Sequence, residues 1–337
     1  MSAIESQHGL QSGLLVASGG QPLVDVNLIT YNHENFIARA IESVLEQKTD
    51  FEYRLIIGDD CSTDKTQSII RDYAEQYPAL IHTLLAPEHR GIHDRDRVGV
   101  QALKLNTAKY VAPLDGDDYW CDPYKLQKQV AFLEGHSEFA ICFHDVKLQY
   151  DGLEQGREKF CASSQKQVTT IDDLLGGNYL PTSSVVFRNQ LFGDLPEWFY
   201  DAMMGDWMLH ILNAQHGKIR YLNEVMGVYR VHGTGFWTSL NAMAQAKDNL
   251  KIVEQLVQHL SHPYKRHAIR AKAKAWKYLS ETYYQQGDMA KARAALIHAL
   301  DISISNGFLP DRQSLGRLVK LQTFHSYEWL RIRFTRT

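Results

Sequence analysis

Short apolar runs and amphipathic stretches alternate along the chain from Val24 onward. Val24–Thr30 reads as a buried strand, and within Glu34–Gln47 the residues Ile37, Ile41, Val44 and Leu45 recur on one helical face. The pattern continues with a strand at Tyr53–Gly58, a helix at Asp64–Tyr77, a strand at Ile81–Leu85, a helix at Val98–Thr107 and a strand at Tyr110–Leu114. Alternation of this length predicts an α/β fold, a mostly parallel sheet flanked by helices. From about Phe139 to Arg230 the signals are mixed, with strand candidates at Ala140–Phe143, Ser183–Phe187 and Lys218–Tyr221 and a helix around Trp207–Gln215. Beyond about Thr238 helix formers dominate, and Ala268–Gln286 and Met289–Ser303 read as antiparallel helices joined at Gly287–Asp288. The expected organisation is a loose tail over 1–23, an α/β domain over 24–240 and a small all-α domain over 241–337.

The polar residues that end the apolar runs carry the candidate chemistry. The first strand ends at Thr30–Tyr31–Asn32, the second at Asp59–Asp60–Cys61–Ser62–Thr63–Asp64, and the fourth at Asp115–Gly116–Asp117–Asp118. Ligands of open α/β sheets bind outside the carboxyl ends of the strands, so the three clusters fall on one edge. In extended backbone Asp115 and Asp117 point to the same side. Two hard oxygen donors there make half a site for Mg2+ or Mn2+, with substrate phosphates supplying the rest. Each cluster alone reads equally well as a solvated turn. Their coincidence favours a single site.

Composition narrows the classes. The chain has 337 residues, 44% of them hydrophobic, which excludes wholesale disorder. A formal net charge of −3 argues against a nucleic-acid binder. Cys61, Cys121, Cys142 and Cys161 show no paired spacing, which suits a reducing compartment better than a disulfide scaffold or zinc module. No stretch approaches the ~20 apolar residues of a membrane span. Residues 1–23 lack the positive start of a signal peptide, so the chain is expected to be soluble and cytoplasmic. His89 and His93 have the spacing of helical zinc ligands, but Arg90–Gly91 between them disfavours a helix, and that reading is set aside.

Taken in order, these clusters and the segment Met204–Gly205–Asp206–Trp207 resemble the family 2 glycosyltransferases of the Rossmann-like GT-A fold. Gly116–Asp117–Asp118–Tyr119–Trp120, followed by Pro123, Lys125, Leu126 and Gln129, resembles one bacterial branch of that family. The resemblance implies that Thr30, Tyr31, Asn32 and one or both of Asp59 and Asp60 hold the nucleotide. Asp115 would touch the ribose, and Asp117 would ligate Mn2+ or Mg2+, with Asp118 as a fallback ligand. Asp206 matches the family's catalytic base, although an N-cap for the following helix is the structural alternative. His232 resembles a further metal or diphosphate ligand, Arg230 could pair with phosphate, and Trp207 and Trp237 could stack on the acceptor sugar. Two departures stand out: Cys61 occupies a position where the family often has Gly, and Gly205 one where it usually has an acid. The implied activity is metal-dependent, inverting transfer from a nucleotide-sugar, most simply UDP-linked, to a hydroxyl of a glycan or lipid-linked acceptor in bacterial surface polysaccharide synthesis. The rivals are a catalytically silent nucleotide-sugar or glycan-binding module with a partner-recruiting tail, and a nucleotidyltransferase. The second would need a Gly-rich basic loop where Tyr31–Asn35 stands.

Trp276, Leu279, Tyr283, Gly287, Asp288, Ala292, Leu296 and Ala299 fit one tetratricopeptide-like helix pair, with Ser280 and Ile304 departing from the usual Gly and Pro. A lone pair cannot form a solenoid, so the reading is a helical hairpin packing on the catalytic domain or on a second subunit, the latter making a homo-oligomer, with an independent protein-binding module as the alternative. A basic terminal segment follows, with Arg312, Arg317, Lys320, Arg331, Arg333 and Arg336 among leucines. It reads equally as an exposed terminal helix or as a peripheral contact with the inner face of the cell membrane.

Overall fold

The computed structural model describes residues 21–91, 94–151, 156–201, 205–233, 235, 240–309 and 311–321. Most of the expected N-terminal tail, His93, Trp237 and the chain from residue 322 lie outside the described residues. The chain divides into two compact units. One is drawn from residues up to Gly233, and the other begins at Thr234 and includes Ile171–Asn178.

The first half of the sheet unit follows the apolar pattern closely. It comprises β1 (Val24–Thr30), α1 (Ile37–Leu45), β2 (Tyr53–Asp59), α2 (Thr66–Gln76), β3 (Ile81–Leu85), α3 (Val98–Lys104) and β4 (Tyr110–Asp115). Next come β5 (Tyr119–Trp120), α4 (Lys125–Gly135), β6 (Phe139–Tyr150) and β7 (Val168–Thr169). The short α5 (Ile171–Leu174) belongs to the other unit; β8 (Val186–Arg188), α6 (Gly205–Ala214) and β9 (Lys218–Val231) complete the first. The strands form one sheet in the order β3-β2-β1-β4-β8-β6-β9-β5, with β7 also on β9. β3, β2, β1 and β4 run parallel. The second half is mixed: β8 is antiparallel to both β4 and β6, while β6 and β9 pair in parallel.

Both early helices begin later than their periodicity suggests, and for one reason. The Asp64 carboxylate accepts the amides of Thr66 (2.9 Å) and Glu34 (3.0 Å), and the Glu34 carboxylate accepts the amide of Lys65 (3.0 Å). Each loop thus caps the other, and Glu34 and Asp64 stay outside the helices they precede. α1 buries Ile37, Ala40, Ile41 and Val44 against the sheet, where Val26, Leu28, Leu55, Ile57 and Trp120 fill the same core. Ser183–Phe187 is only partly a strand, because Thr182–Ser184 forms a 3-10 turn ahead of β8.

The helical unit contains α7 (Ala242–His259), α8 (Lys265–Gln285) and α9 (Met289–Ser305). Asn241 caps α7 by accepting the Ala244 amide at 2.9 Å, and Asp288 caps α9 by accepting that of Lys291 at 3.0 Å. Gly287, at φ 81°, turns the chain between α8 and α9. Buried alanines on both helices let their backbones approach, and Ser280 Oγ donates to the Ala292 carbonyl at 2.6 Å. No described helix is long and apolar enough to cross a membrane.

Candidate active site

Strand register brings the three polar clusters together. Thr30 pairs with Asp59 across β1 and β2, and Ile29 with Asp115 across β1 and β4, so the carboxyl ends of these strands are level. Asp59 is fully buried; its carboxylate accepts the Ser62 amide (2.9 Å), Gln67 Nε2 (2.6 Å) and the Ser62 hydroxyl, closing the turn onto α2. Asp60 turns the other way. It accepts the amides of Arg90 (3.1 Å) and Gly91 (2.9 Å), and His89 Nδ1 lies 2.9 Å from its carboxylate. The Tyr31 ring is exposed and stacks on His89 at 4.2 Å.

The intervening loops are braced through left-handed residues. Asn32 (φ 54°) donates its amide to Ser62 Oγ and accepts that of Thr63, each at 2.8 Å. Cys61 (φ 61°) takes a conformation that glycine adopts without strain, in line with the departure noted at that position. Thr30 is buried, with its hydroxyl 3.1 Å from His33 Nδ1.

After β4 the chain turns sharply, with the Gly116 amide donating to the Ile29 carbonyl at 2.8 Å. Asp117 Oδ2 then meets two imidazoles, His232 Nε2 at 3.0 Å and His33 Nε2 at 3.8 Å. Asp118 is buried and accepts the Arg230 amide at 2.9 Å. The Arg230 guanidinium donates to the Asp117 carbonyl at 2.6 Å and lies over the rings of Tyr119 (4.5 Å) and Phe36 (5.2 Å). Burial first, then the neighbouring Asp117 and Asp206 charges, pushes the Asp115 carboxyl well above the usual range. Burial, then Asp117 and Asp115, does the same to Asp118. A cluster this anionic suits a cation. Asp117 and His232 offer an oxygen and a nitrogen, a donor pair compatible with Mn2+ or Mg2+ that leaves other positions to substrate oxygens and water. Among the described residues no group of three or more His, Cys, Asp or Glu side chains could hold a metal ion unaided.

Asp206 lies in the first turn of α6, where Thr182 Oγ1 donates to its carboxylate at 3.4 Å. Its charge reaches Asp115, which ties α6 to the carboxyl edge of the sheet. Trp207 is buried, only 4% exposed. One turn beyond Asp206, His210 is fully buried, and neither ring nitrogen has a hydrogen-bond partner among the described residues, although the Asp206 charge acts on the ring. Trp237 lies outside the described residues.

Pattern reading did not single out His33, His89 or Arg97 for this site. His33 and His89 each sit in a loop just beyond a strand's carboxyl end, and that position was the one available signal. His33 follows β1 by three residues, close to the Asp117 carboxylate. His89 stands on Asp60. Arg97 precedes α3 and reaches toward Gly205, the residue before Asp206.

Comparison with known proteins places this geometry in context. The family model described as glycosyl transferase family 2 matches residues 25–187. The chain is similar to an uncharacterized protein of Mycobacterium tuberculosis (strain H37Rv), 39% identical over 212 residues that cover 63% of this chain. Those residues cover 59% of that protein, so the chain spans less than two thirds of its length. TuaG of Bacillus subtilis (strain 168), named as a teichuronic acid biosynthesis glycosyltransferase, is 31% identical over 215 residues, covering 63% of this chain and 80% of TuaG. Among solved structures, S. aureus TarS 1–349 in complex with UDP-GlcNAc gives a TM-score of 0.59 at 18% identity, over 83% of this chain and 81% of that one. The mannosyltransferase PcManGT from Pyrobaculum calidifontis, in complex with GDP-Man and Mn2+, gives 0.55 at 16% identity, over 98% and 87%. At such identities the likeness is one of fold.

Proposed function

The chain belongs to glycosyltransferase family 2, and on that premise we propose that it is a metal-dependent, inverting enzyme that moves a sugar from a nucleotide diphosphate donor to a hydroxyl of a glycan or lipid-linked glycan. The setting we infer is bacterial surface polysaccharide assembly, in keeping with the naming of TuaG. TarS is in complex with UDP-GlcNAc and PcManGT with GDP-Man, so UDP-sugars are the first donors to assay and GDP-sugars the second.

One observation carries the reading. On one sheet edge Asp117 faces the His232 imidazole at 3.0 Å, within a carboxylate cluster whose electrostatic neighbours include Asp206. Asp117 and His232 would hold Mn2+ or Mg2+ against the donor diphosphate. When bound, that ion neutralises the charge growing on the leaving diphosphate. Tyr31 offers an exposed ring for the nucleotide base, and the Asp59–Asp60 turn shapes the wall beside it. Arg230 holds the turn in place by gripping the Asp117 carbonyl while its own amide anchors Asp118.

In the reaction the acceptor oxygen bonds to the anomeric carbon while the bond to the diphosphate oxygen breaks. The hydroxyl proton passes to the Asp206 carboxylate. Attack from the face opposite the leaving group inverts the anomeric centre. Asp206→Asn keeps the shape and removes the base. It is expected to lower turnover by ~100-fold or more and leave donor affinity in Mn2+ within a few-fold of the parent. Normal turnover in that variant would overturn the assignment of the base.

A further inference from the structure

Charge is unevenly shared along the chain. Up to residue 233, 32 Asp and Glu outweigh 20 Lys and Arg, whereas from residue 234 onward 16 Lys and Arg outweigh 7 Asp and Glu. An asymmetry of this size points the basic part at an anionic partner. Much of the excess lies on α8, where Lys265, Arg266, Arg270, Lys272, Lys274 and Lys277 all precede Glu281, the first acid of the helix. Some of these cations are matched: Lys272 meets Glu254 at 3.1 Å and Lys277 meets Asp311 at 2.9 Å, while His267 beside them meets Asp172 at 3.1 Å. Arg266, Arg270 and Lys274 are exposed, and among the described residues none of them lies within ion-pair distance of a carboxylate. Spaced four apart, they form one stripe along the helix.

The chain that follows α9 runs along that stripe. The Phe308 ring lies against the guanidinium groups of Arg266 (5.4 Å) and Arg270 (4.6 Å), Asp311 is held by Lys277, and Arg317 pairs with Glu281 and lies over the Tyr284 ring. Between these contacts Leu309 is 96% exposed, and Leu315, on the helical stretch 312–321, is exposed as well. The inner side of that stretch is already used, since Leu318 and Leu321 pack with Ala292 and Leu296 of α9. Unmatched cations and outward leucines therefore share one flank of the helical unit.

We propose that this flank docks the protein on an anionic bilayer surface, with lipid phosphates meeting Arg266, Arg270 and Lys274 and the two leucines entering the headgroup layer. A soluble polyanion would be met by the cations alone and would leave the leucines in water. A bilayer offers phosphate to the one and hydrocarbon to the other. The cations involved lie on α8, ahead of the basic terminal segment noted in the sequence. On the glycosyltransferase reading, which the test of docking does not need, this contact would bring the enzyme to the surface that carries a lipid-linked acceptor.

The test is co-sedimentation of the full chain with vesicles of equal parts phosphatidylglycerol and phosphatidylcholine, and with vesicles of phosphatidylcholine alone. Binding is expected to the first and not to the second, and it should be lost at ~1 M salt, where charges are screened within about 3 Å. Replacing Arg266, Arg270 and Lys274 together by Gln should weaken binding on the order of a hundred-fold, about five-fold per cation. Leu309→Ser combined with Leu315→Ser should weaken it about ten-fold at unchanged charge. All five positions are exposed, so both variants should melt within a few degrees of the parent. No binding to the phosphatidylglycerol vesicles, or binding that survives the triple charge variant, overturns the inference. If the charge variant loses binding while the leucine variant keeps it in full, the flank is a plain polyanion-binding face and the bilayer assignment falls. UDP titration of the parent without lipid reports separately on the nucleotide-sugar reading, and its failure would leave the docking result standing.

Discussion

Gly116 is fixed by a neighbour. A Cβ there would stand 2.5 Å from Thr30 Oγ1 and 2.7 Å from Thr30 Cβ, closer than side chains approach. Thr30 is buried and cannot retreat, so the acidic turn has to move instead. Gly116→Ala is expected to weaken donor binding in Mn2+ by about ten-fold or more, since overpacking of this kind is worth ~1–3 kcal/mol. The melting temperature should fall by only a few degrees, and calorimetry and a melt in parallel separate the two effects. Acid sensitivity resides in other residues. Burial holds the His144 imidazole down at about 3 and that of His210 at about 4. Unfolded histidine titrates near ~6.5, so below that value the unfolded chain binds the extra protons and stability declines as pH falls toward the folded values. Each histidine removes up to ~1.4 kcal/mol per pH unit in that window. His144→Gln should flatten the decline in urea midpoint between about pH 6.5 and 4; an unchanged slope would assign it to other groups. At this scale the carboxylates of the site were legible, because Asp59 and Asp115 each end an apolar run on a sheet edge. Their partners were not. His89 and His232 meet Asp60 and Asp117 across 29 and 115 positions, and loop residues have no period from which such a meeting could be read.

Among the elements, β1, β3 and the start of β4 matched the apolar pattern; β1 and the start of β4 are buried on both faces, while the edge strand β3 is buried only at Ile81 and Leu84. The longer strands were largely hidden. β6 runs to Tyr150, past His144 and Asp145, and β9 to Val231, past Asn223 and Glu224. Polar residues interrupt both runs, and their pairing shifts register near His144–Val146. The buried Asp145 explains one interruption, since its carboxylate accepts the amides of Val146, Phe160 and Cys161 and the hydroxyl of Tyr221. α4 escaped notice because only Leu126, Val130 and Leu133 mark its apolar face, and the buried Lys125 and Gln129 interleave with them. In the helical unit, Ser280 stands where a repeat of this kind usually has glycine, and it has a use there. Ser280→Ala removes the hydrogen bond to Ala292 between α8 and α9 and should lower stability by ~1 kcal/mol, with no change in nucleotide binding. A denaturation curve and a UDP titration on the same variant check both halves.

Across the whole molecule, site residues come from a small part of the chain, and ligand effects should stay there. UDP with Mn2+ is expected to slow amide exchange at 30–33, 115–118 and 230–233 and to leave α7, α8 and α9 unchanged; removing the metal with EDTA should reverse most of that protection. Uniform slowing over both units would argue that binding orders the entire chain. The sequence made the division into a sheet region and a helical region legible through composition alone. The excursion of Ile171–Asn178 into the helical unit was not, since that short stretch carries no signal of where it docks. The bond from Arg230 to the Asp117 carbonyl spans 113 positions. A ribosome adds about 5–20 residues per second, so the acidic turn is synthesised on the order of ten seconds before the arginine and histidine that steady it exist. During that interval the strands β1 to β4 can already pair, yet they present a cluster of carboxylates that has His33 beside it but lacks Arg230 and His232. β9 is therefore the strand whose arrival completes the centre. A nascent chain stalled before residue 230 would carry the sheet edge and the acidic turn without the hydrogen bonds that hold Asp117 and Asp118 in the finished fold.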